Sequence, residues 1–185
     1  MRKCSLFLVI SLLSLPMAAQ KAEVFGGYQY LNIGGGNSSS GFSNSQSFNG
    51  WNASAEYNFD RLLGVEGDFG GAYATVTGVN VHVYTYTGGP VVSLPAGRIK
   101  PFAHVLFGGI GLSGSQSGVS VSWTGFTTML GGGVDTKINR ALAIRVVQFD
   151  WLYYRFGSKT IAGTPFPSFS GSNNERISTG IVLRF

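Results

Sequence analysis

Few side chains in this chain are able to carry out chemistry, and most of them are carboxylates. The sequence contains eight acidic residues, two histidines and a single cysteine, Cys4. Ionisable side chains interrupt stretches of apolar and small residues at Glu56, Glu66, Asp68, His104, Arg145 and Asp150. Carboxylates beside a histidine or an arginine can act as acid–base catalysts, as a proton or ion path, or as mutual counter-ions. Which of these applies depends on the elements that hold them.

Eight segments alternate apolar and non-apolar side chains with the period of two that is typical of β-strands. The clearest segment is 48–59, which sets Trp51 and Tyr57 on one face and Asn52 and Glu56 on the other. Each segment has about the length needed to cross a bilayer at a tilt. The predicted strands are 22–31, 48–59, 63–75, 82–94, 101–112, 123–135, 141–155 and 175–185. They predict an all-β fold, an eight-stranded antiparallel up-and-down transmembrane β-barrel.

Alternation places Glu56, Glu66, Asp68, His104 and Asp150 on inward faces, where an isolated charge is costly. We interpret them as a polar network that plugs the lumen, because side chains nearly fill a barrel of eight strands. A narrow proton- or ion-conducting interior and a catalytic carboxylate pair are the alternatives.

Arg145 is the basic candidate for pairing with these acids, but it has the opposite strand parity to Gln148 and Asp150. Either Arg145 lies on the outer face near the periplasmic rim, where its guanidinium reaches headgroups, or a bulge after it turns it inward.

The composition agrees with a membrane barrel. Charged residues make up 11% of the chain, against about 25% in soluble domains, while aromatic residues reach 14%. This pattern is expected when hydrophobicity is spread over alternating strands. The formal charge is +5 and falls to +3 without Arg2 and Lys3. The remaining basic residues form no cluster with interleaved aromatics, so nucleic acid is not a predicted partner.

The N-terminus has the features of a secretory signal peptide. Arg2 and Lys3 precede an apolar run from Leu6 to Leu15, and small residues follow it. We predict a signal peptide at 1–20, with cleavage between 19 and 22, and a barrel domain at 21–185. Because Cys4 lies in the charged start, the exported chain has no thiol for a disulfide.

The connections alternate in length. Short turns are predicted at 60–61, 95–100 and 137–140, whereas 32–47 and 156–174 are long and rich in Gly, Ser and Asn. This arrangement predicts periplasmic turns, external loops and both termini in the periplasm. Within the fourth strand, Gly88-Gly89-Pro90 predicts a bulge or bend, because proline cannot donate to the ladder.

The C-terminal strand carries the sharpest motif. Ile177, Thr179, Ile181, Leu183 and Phe185 face one side, while Arg176, Ser178, Gly180 and Arg184 face the other, which suits a polar interior. The order formed by Ser178, Gly180, Leu183 and Phe185 resembles the assembly signal of Gram-negative outer-membrane β-barrel proteins. The resemblance implies recognition by the barrel-insertion machinery.

With these residues in view, the whole exported chain resembles the small eight-stranded outer-membrane barrels, the OmpA/OmpX-like transmembrane domains and related outer membrane protein β-barrel domains. The resemblance implies a monomer in contact with outer-membrane lipid and lipopolysaccharide, and with periplasmic chaperones during assembly. It implies a structural or surface-exposed envelope role without catalysis and without cofactor or metal.

A lipid-modifying enzyme and a soluble lipocalin-like carrier are the other interpretations. Lipid A deacylases resemble one another in a His-x-Ser pair, which His82-Val83-Tyr84 and His104-Val105-Leu106 lack. The palmitoyltransferase type uses an Asp-Ser pair, and no Asp here precedes a Ser. A soluble carrier requires inward-pointing apolar faces. We interpret the strand aromatics as headgroup girdles, namely Trp51, Trp123, Phe149, Trp151, Tyr153 and Phe185. The glycine run 131–133 indicates close strand packing.

Overall fold

The computed structural model describes residues 21–34, 44–76, 78–116, 119–161 and 164–185. The predicted signal peptide, with Cys4, lies outside these residues, as does most of the predicted loop 32–47. No helix in the described part of the chain is long and apolar enough to cross a bilayer.

Eight long strands close into one antiparallel barrel, in which neighbours in sequence pair and the last strand pairs with the first. The barrel strands are β1 (Ala22–Ile33), β2 (Gln46–Asn58), β3 (Leu63–Val76), β4 (Val79–Ser93), β5 (Ile99–Gln116), β6 (Val119–Lys137), β7 (Leu142–Phe156) and β10 (Phe169–Arg184). Closure lets each strand pair on both sides, which a bilayer core requires. The predicted fold class and all eight predicted strands are confirmed.

The two ends of the barrel differ. The turn end carries the connections 59–62, 94–98 and 138–141, and Lys21 and Phe185 also lie there. The Phe185 N–H donates to the Ala22 carbonyl at 2.8 Å. We call the opposite end the loop end. The two longest connections, between β1 and β2 and between β7 and β10, lie at the loop end as the sequence predicts. The other two loop-end connections are shorter than predicted, because β3 to β6 extend until only two residues separate β3 from β4 and β5 from β6.

The predicted loop 156–174 is more ordered than expected. It contains a hairpin of two short strands, β8 (Lys159–Ile161) and β9 (Thr164–Phe166), and β10 begins at Phe169 instead of residue 175. The rings of Phe156 and Phe169 stack with centroids 4.7 Å apart, so an aromatic contact extends the strand. Sequence analysis missed this extension because the Ser, Gly and Asn residues after Phe169 are typical of loops.

The expected bulge at Gly88-Gly89-Pro90 is wrong. β4 keeps one register with β3 through this segment, and Val65 lies opposite Pro90. On the β5 side, pairing stops at Gly88 with Phe107 and resumes at Val91 with His104, without an inserted residue. A missing proline donor interrupts the ladder but does not require an extra residue.

A bulge does occur in β7. Val134 lies opposite Val147, and the next residue of β6, Asp135, lies opposite Arg145, so Val146 is the extra residue. Val146 and Val147 both face outward, while Arg145 is 2% exposed inside the barrel. The Arg145 carbonyl accepts a hydrogen bond from the Thr179 hydroxyl at 2.9 Å. Of the two alternatives for Arg145, the structure therefore shows the inward one.

The seam between β1 and β10 depends on glycine. Gly27 lies opposite Gly180, the glycine of the C-terminal motif. A Cβ added at Gly180 would lie 2.3 Å from the Gly26 carbonyl oxygen and 2.5 Å from the Gly27 Cα. Since no side chain fits this close approach, glycine at position 180 has a structural role in closing the barrel.

Candidate functional site

Charged side chains are concentrated inside the barrel. Of the eight acidic residues in the chain, six are buried in the lumen, and only Asp60 and Glu175 are not. The inward acids are Glu23, Glu56, Glu66, Asp68, Asp135 and Asp150. Because buried carboxylates are costly without partners, basic side chains must share the lumen.

Arg176 on β10 is the central cation of this network. Its Nη1 donates to Asp68 Oδ1 at 2.7 Å and its Nη2 donates to Asp68 Oδ2 at 3.2 Å. Its Nε donates to Asp150 Oδ2, also at 2.7 Å. Asn52 Nδ2 donates to Asp68 as well. Arg176, Asp68 and Asp150 are at most 1% exposed, so water does not screen these pairs.

His104 lies between two carboxylates. Its Nδ1 is 2.7 Å from Glu66 Oε2, and its Nε2 is 2.7 Å from Asp150 Oδ1. An imidazolium, which carries a hydrogen on both ring nitrogens, can donate to both acids at once. The geometry therefore suits a charged His104 as a counter-ion that links Glu66 to Asp150.

A glycine makes the contact between His104 and Asp150 possible. Gly131 on β6 lies opposite His104 on one side and opposite Asp150 on the other. A Cβ at Gly131 would lie 2.0 Å from Asp150 Oδ1. The space that a side chain at position 131 would occupy is thus filled by the carboxylate of Asp150, which contacts His104. This agrees with the close packing predicted from the glycine run 131–133.

Arg145 forms a second unit of the network. Its Nε and Nη2 donate to Asp135 at 2.8 and 3.2 Å, and its Nη1 donates to Gln148 Oε1 at 2.7 Å. The guanidinium carbon lies 4.4 Å from the Phe25 ring centroid and 4.2 Å from that of Phe102. Arg145 is therefore paired with a carboxylate and held between two aromatic rings.

A third unit lies near the turn end. Lys100 Nζ is 3.0 Å from Glu23 Oε2 and 2.9 Å from Glu56 Oε1. Arg184 Nε donates to the other oxygen of Glu23 at 3.0 Å. Ion pairs thus extend from the turn-end mouth to the middle of the lumen.

The structure places all six predicted residues, Glu56, Glu66, Asp68, His104, Arg145 and Asp150, in this network. Sequence analysis missed Glu23, Lys100 and Asp135 as members, and placed Arg176 and Arg184 on the inner face without partners. Lys100 falls just outside the predicted strand 101–112, although its parity with Phe102 and His104 is an available signal.

The predicted polar lumen is only half correct. Toward the loop end the interior is lined by apolar side chains that form one cluster with the aromatic rings of Tyr154 and Phe156. Its buried members are Leu31, Ile33, Phe48, Ala72, Val81, Val83, Leu106, Ile110, Met129, Leu152, Tyr154 and Phe156. These side chains pack against one another across the lumen, so the plug changes from ionic to apolar along its length.

Trp123 belongs to this interior cluster and not to an outer girdle. Its ring lies 6.4 Å from that of Phe169, edge to face, and it packs against the buried cluster. The girdle interpretation of Trp123 is therefore wrong. Trp51, Phe149, Trp151, Tyr153 and Phe185 do lie on the outer face.

His82 does not belong to the charged network. It lies on the outside of β4, opposite Tyr73 on β3 and Ser113 on β5, with its ring 5.2 Å from that of Tyr73. The acids Asp60 and Glu175, which lie outside the lumen, are in the 59–62 turn and on β10. Among the described residues, no acid lies opposite His82 on a neighbouring strand.

The closed barrel combines an apolar outer surface with an interior that is charged toward the turn end and apolar toward the loop end. Large apolar and aromatic side chains on every barrel strand are exposed, Phe69, Phe107, Leu130 and Ile181 among them. A soluble carrier of the lipocalin type needs a polar outer surface, so these exposed apolar side chains exclude it. Fold and site together define a transmembrane β-barrel.

The comparisons with known proteins give the family. The sequence profile of the outer membrane protein beta-barrel domain matches residues 5–185. The chain belongs to this family and is an integral outer-membrane protein. No curated protein sequence matches the chain.

Solved structures show the same fold. Neisserial surface protein A is 12% identical with a TM-score of 0.66, covering 89% of this chain and 97% of its own. Ail, the attachment invasion locus protein of Yersinia pestis, is 17% identical with a TM-score of 0.56, covering 90% and 99%. The N-terminal β-barrel domain of Pseudomonas aeruginosa OprF is 8% identical with a TM-score of 0.56, covering 90% and 98%. At these identities the likeness concerns the fold alone.

Proposed function

We propose that this protein is a monomeric, non-catalytic outer-membrane barrel with a closed lumen, serving a structural or surface-exposed role in the cell envelope. The observation that carries the proposal is the composition of the plug. A solute entering from the turn end would meet the buried ion pairs around Arg176 and His104 and then the apolar cluster around Phe48 and Leu106. The ion pairs fill the lumen near its middle, and the apolar cluster beyond them offers an ion no replacement for its hydration shell. Neither region therefore favours passage of a solute.

The surroundings of the acids and the two histidines, all of which lie in the described part of the chain, also support the proposal. The carboxylates and His104 of the network are bound to one another inside the barrel, where a lipid substrate has no access. His82 is accessible but has no acid opposite it among the described residues. A catalytic histidine requires a partner that orients it and a nucleophile or water that it activates.

The closed lumen predicts a lack of conductance. Purified barrel inserted in a planar bilayer is expected to give no discrete current steps, because the ionic and apolar layers leave no continuous water path. A porin inserted in the same apparatus serves as the control. Reproducible single-channel steps from the folded barrel would favour the narrow pore instead.

We further propose that the turn end faces the periplasm and that the long connections face the outside. The support is that the two longest connections both lie at the loop end, because long connections are usually extracellular in bacterial outer-membrane barrels. An epitope inserted near Ser40, in the connection between β1 and β2, is expected to be labelled by antibody on intact cells. Labelling that requires disruption of the outer membrane would reverse the orientation.

The proposal includes recognition of the C-terminal strand by the barrel-insertion machinery. Deleting Phe185 is expected to reduce the amount of barrel in the outer membrane, while the purified variant still refolds in detergent. The physical reason is that deletion removes one partly buried side chain, 37% exposed, and its backbone hydrogen bond to Ala22, while the pairing of the other seam residues is kept. Membrane fractionation and heat-modifiability on unboiled gels measure the two quantities. Equal impairment in cells and in detergent would assign Phe185 a packing role only.

A further inference from the structure

A cavity opens at the turn end of the barrel. It has a volume of about 670 Å³ and is lined by side chains from several turns and from the last strand. Five cations contribute to its wall, namely Lys21, Arg61, Lys100, Lys137 and Arg184. The acids in the wall are Glu23 and Asp60.

The two deepest cations are already neutralised. Lys100 pairs with Glu23 and Glu56, and Arg184 pairs with Glu23. They belong to the turn-end unit of the lumen network. Lys100 and Arg184 therefore line the bottom of the cavity without adding net positive charge to it.

Three cations in the wall remain. Lys21, Arg61 and Lys137 form no ion pair in the part of the chain that the structure describes. Asp60 is the acid that could offset them, and its Oδ1 accepts the N–H groups of Leu62 and Leu63 at 2.7 and 2.8 Å. These two hydrogen bonds lower the pKa of Asp60, with Leu62 the larger contributor, so its carboxylate is charged. Three cations less one carboxylate leave a surplus of two positive charges around the cavity.

The surroundings strengthen the positive potential. Arg98 is exposed on a neighbouring turn, and of the eight acidic residues only Asp60 is exposed at this end. A concave site lined by one sign of charge concentrates ions of the opposite sign.

We propose that the turn-end cavity is a binding site for a phosphate group. A phosphate monoester carries about −1.5 to −2 charges at neutral pH, which matches the surplus. Arg61 can donate to two phosphate oxygens, while Lys21 and Lys137 act as point charges. Such a group can come from a lipid of the adjacent leaflet whose headgroup ends in a phosphate monoester, or from a soluble phosphate compound. The site does not depend on which side of the membrane the turn end faces.

Titration calorimetry with inorganic phosphate tests the site. Wild-type barrel, folded in a zwitterionic detergent without phosphate buffer, is expected to bind phosphate saturably. The double variant Arg61→Gln/Lys137→Gln is expected to bind about tenfold more weakly, equivalent to about 1.4 kcal/mol. High salt should weaken wild-type binding, because the cavity is open to solvent.

The matched control is Arg155→Gln/Lys159→Gln, which removes the same charge from the loop end, away from the cavity. It should bind phosphate as the wild type does. Heat-modifiability on unboiled gels verifies that both variants are folded. Absence of saturable binding by the wild type, or equal weakening in both double variants, would overturn the proposal.

Binding measurements in nanodiscs of two lipid compositions distinguish a lipid headgroup from a soluble phosphate compound as the ligand. In phosphatidylcholine nanodiscs the wild type is expected to keep the binding seen in detergent. If adding phosphatidic acid, whose headgroup is a phosphate monoester, abolishes the response to inorganic phosphate in the wild type, the lipid headgroup occupies the cavity. If the response persists, the site takes a soluble phosphate compound.

Discussion

Replacing Arg176 with methionine is expected to lower the free energy of unfolding by about 3 to 5 kcal/mol, the range for a buried pair that loses one partner. Methionine retains a long apolar stem, so the change removes mainly the guanidinium. Asp68 and Asp150 would then lose the cation that both contact at 2.7 Å in a region closed to water. Folding titrations in urea with lipid vesicles measure the difference.

Two further variants identify the cause of that loss. Arg155→Met removes an exposed arginine near the loop end and should have little effect, since Arg155 is not in the network. Asp68→Asn combined with Arg176→Met should recover part of the stability, because one uncompensated charge is gone. If the single and double variants at these sites are equally unstable, the charge interpretation is wrong and Arg176 acts through packing.

Replacing Phe149 with arginine is expected to destabilise the barrel by about 2 to 4 kcal/mol, the cost of a basic side chain on the lipid face near mid-membrane. Phe149 is 46% exposed on the outer face of β7. It lies opposite Gly132 on β6 and Ile177 on β10, with no acid among these neighbours to pair with the new charge. The same urea titration provides the measurement.

Asn44→Arg is the control for Phe149→Arg, because Asn44 is exposed just before β2 and outside the strands. It should leave the free energy of unfolding nearly unchanged. Equal costs at positions 44 and 149 would contradict the assignment of Phe149 to the lipid face.

For the lumen network, the alternation of side chains along each strand predicts which residues face inward but not which of them pair. Strand parity is a local property, since successive side chains point to opposite faces, and it therefore places Glu56, Asp68 and His104 inside from sequence. The partners are not local. Arg176 and Asp68 are 108 residues apart, and their contact depends on the register of every strand between them.

Exceptions to alternation require the folded structure. Sequence leaves two orientations open for Arg145, and the bulge at Val146 selects the inward one where Asp135 is available as a partner. The opposite error occurs at Gly88-Gly89-Pro90. Local residue types predict a bulge there, but the pairing registers with β3 and β5 continue through the segment without an extra residue.

The sequence by itself determined the class of fold, the eight strands, the lipid-facing side of most of them and the end of the barrel that carries the two longest connections. These follow from period-two alternation and turn residues, which act over a few neighbouring positions. The tertiary structure decided which charges pair, that Gly131 makes room for His104 and Asp150, and that the plug becomes apolar toward the loop end, with Trp123 inside. It also brought Lys21, Arg61 and Lys137 around one cavity. Those features depend on strand register and barrel closure, because both join residues that lie far apart in the chain.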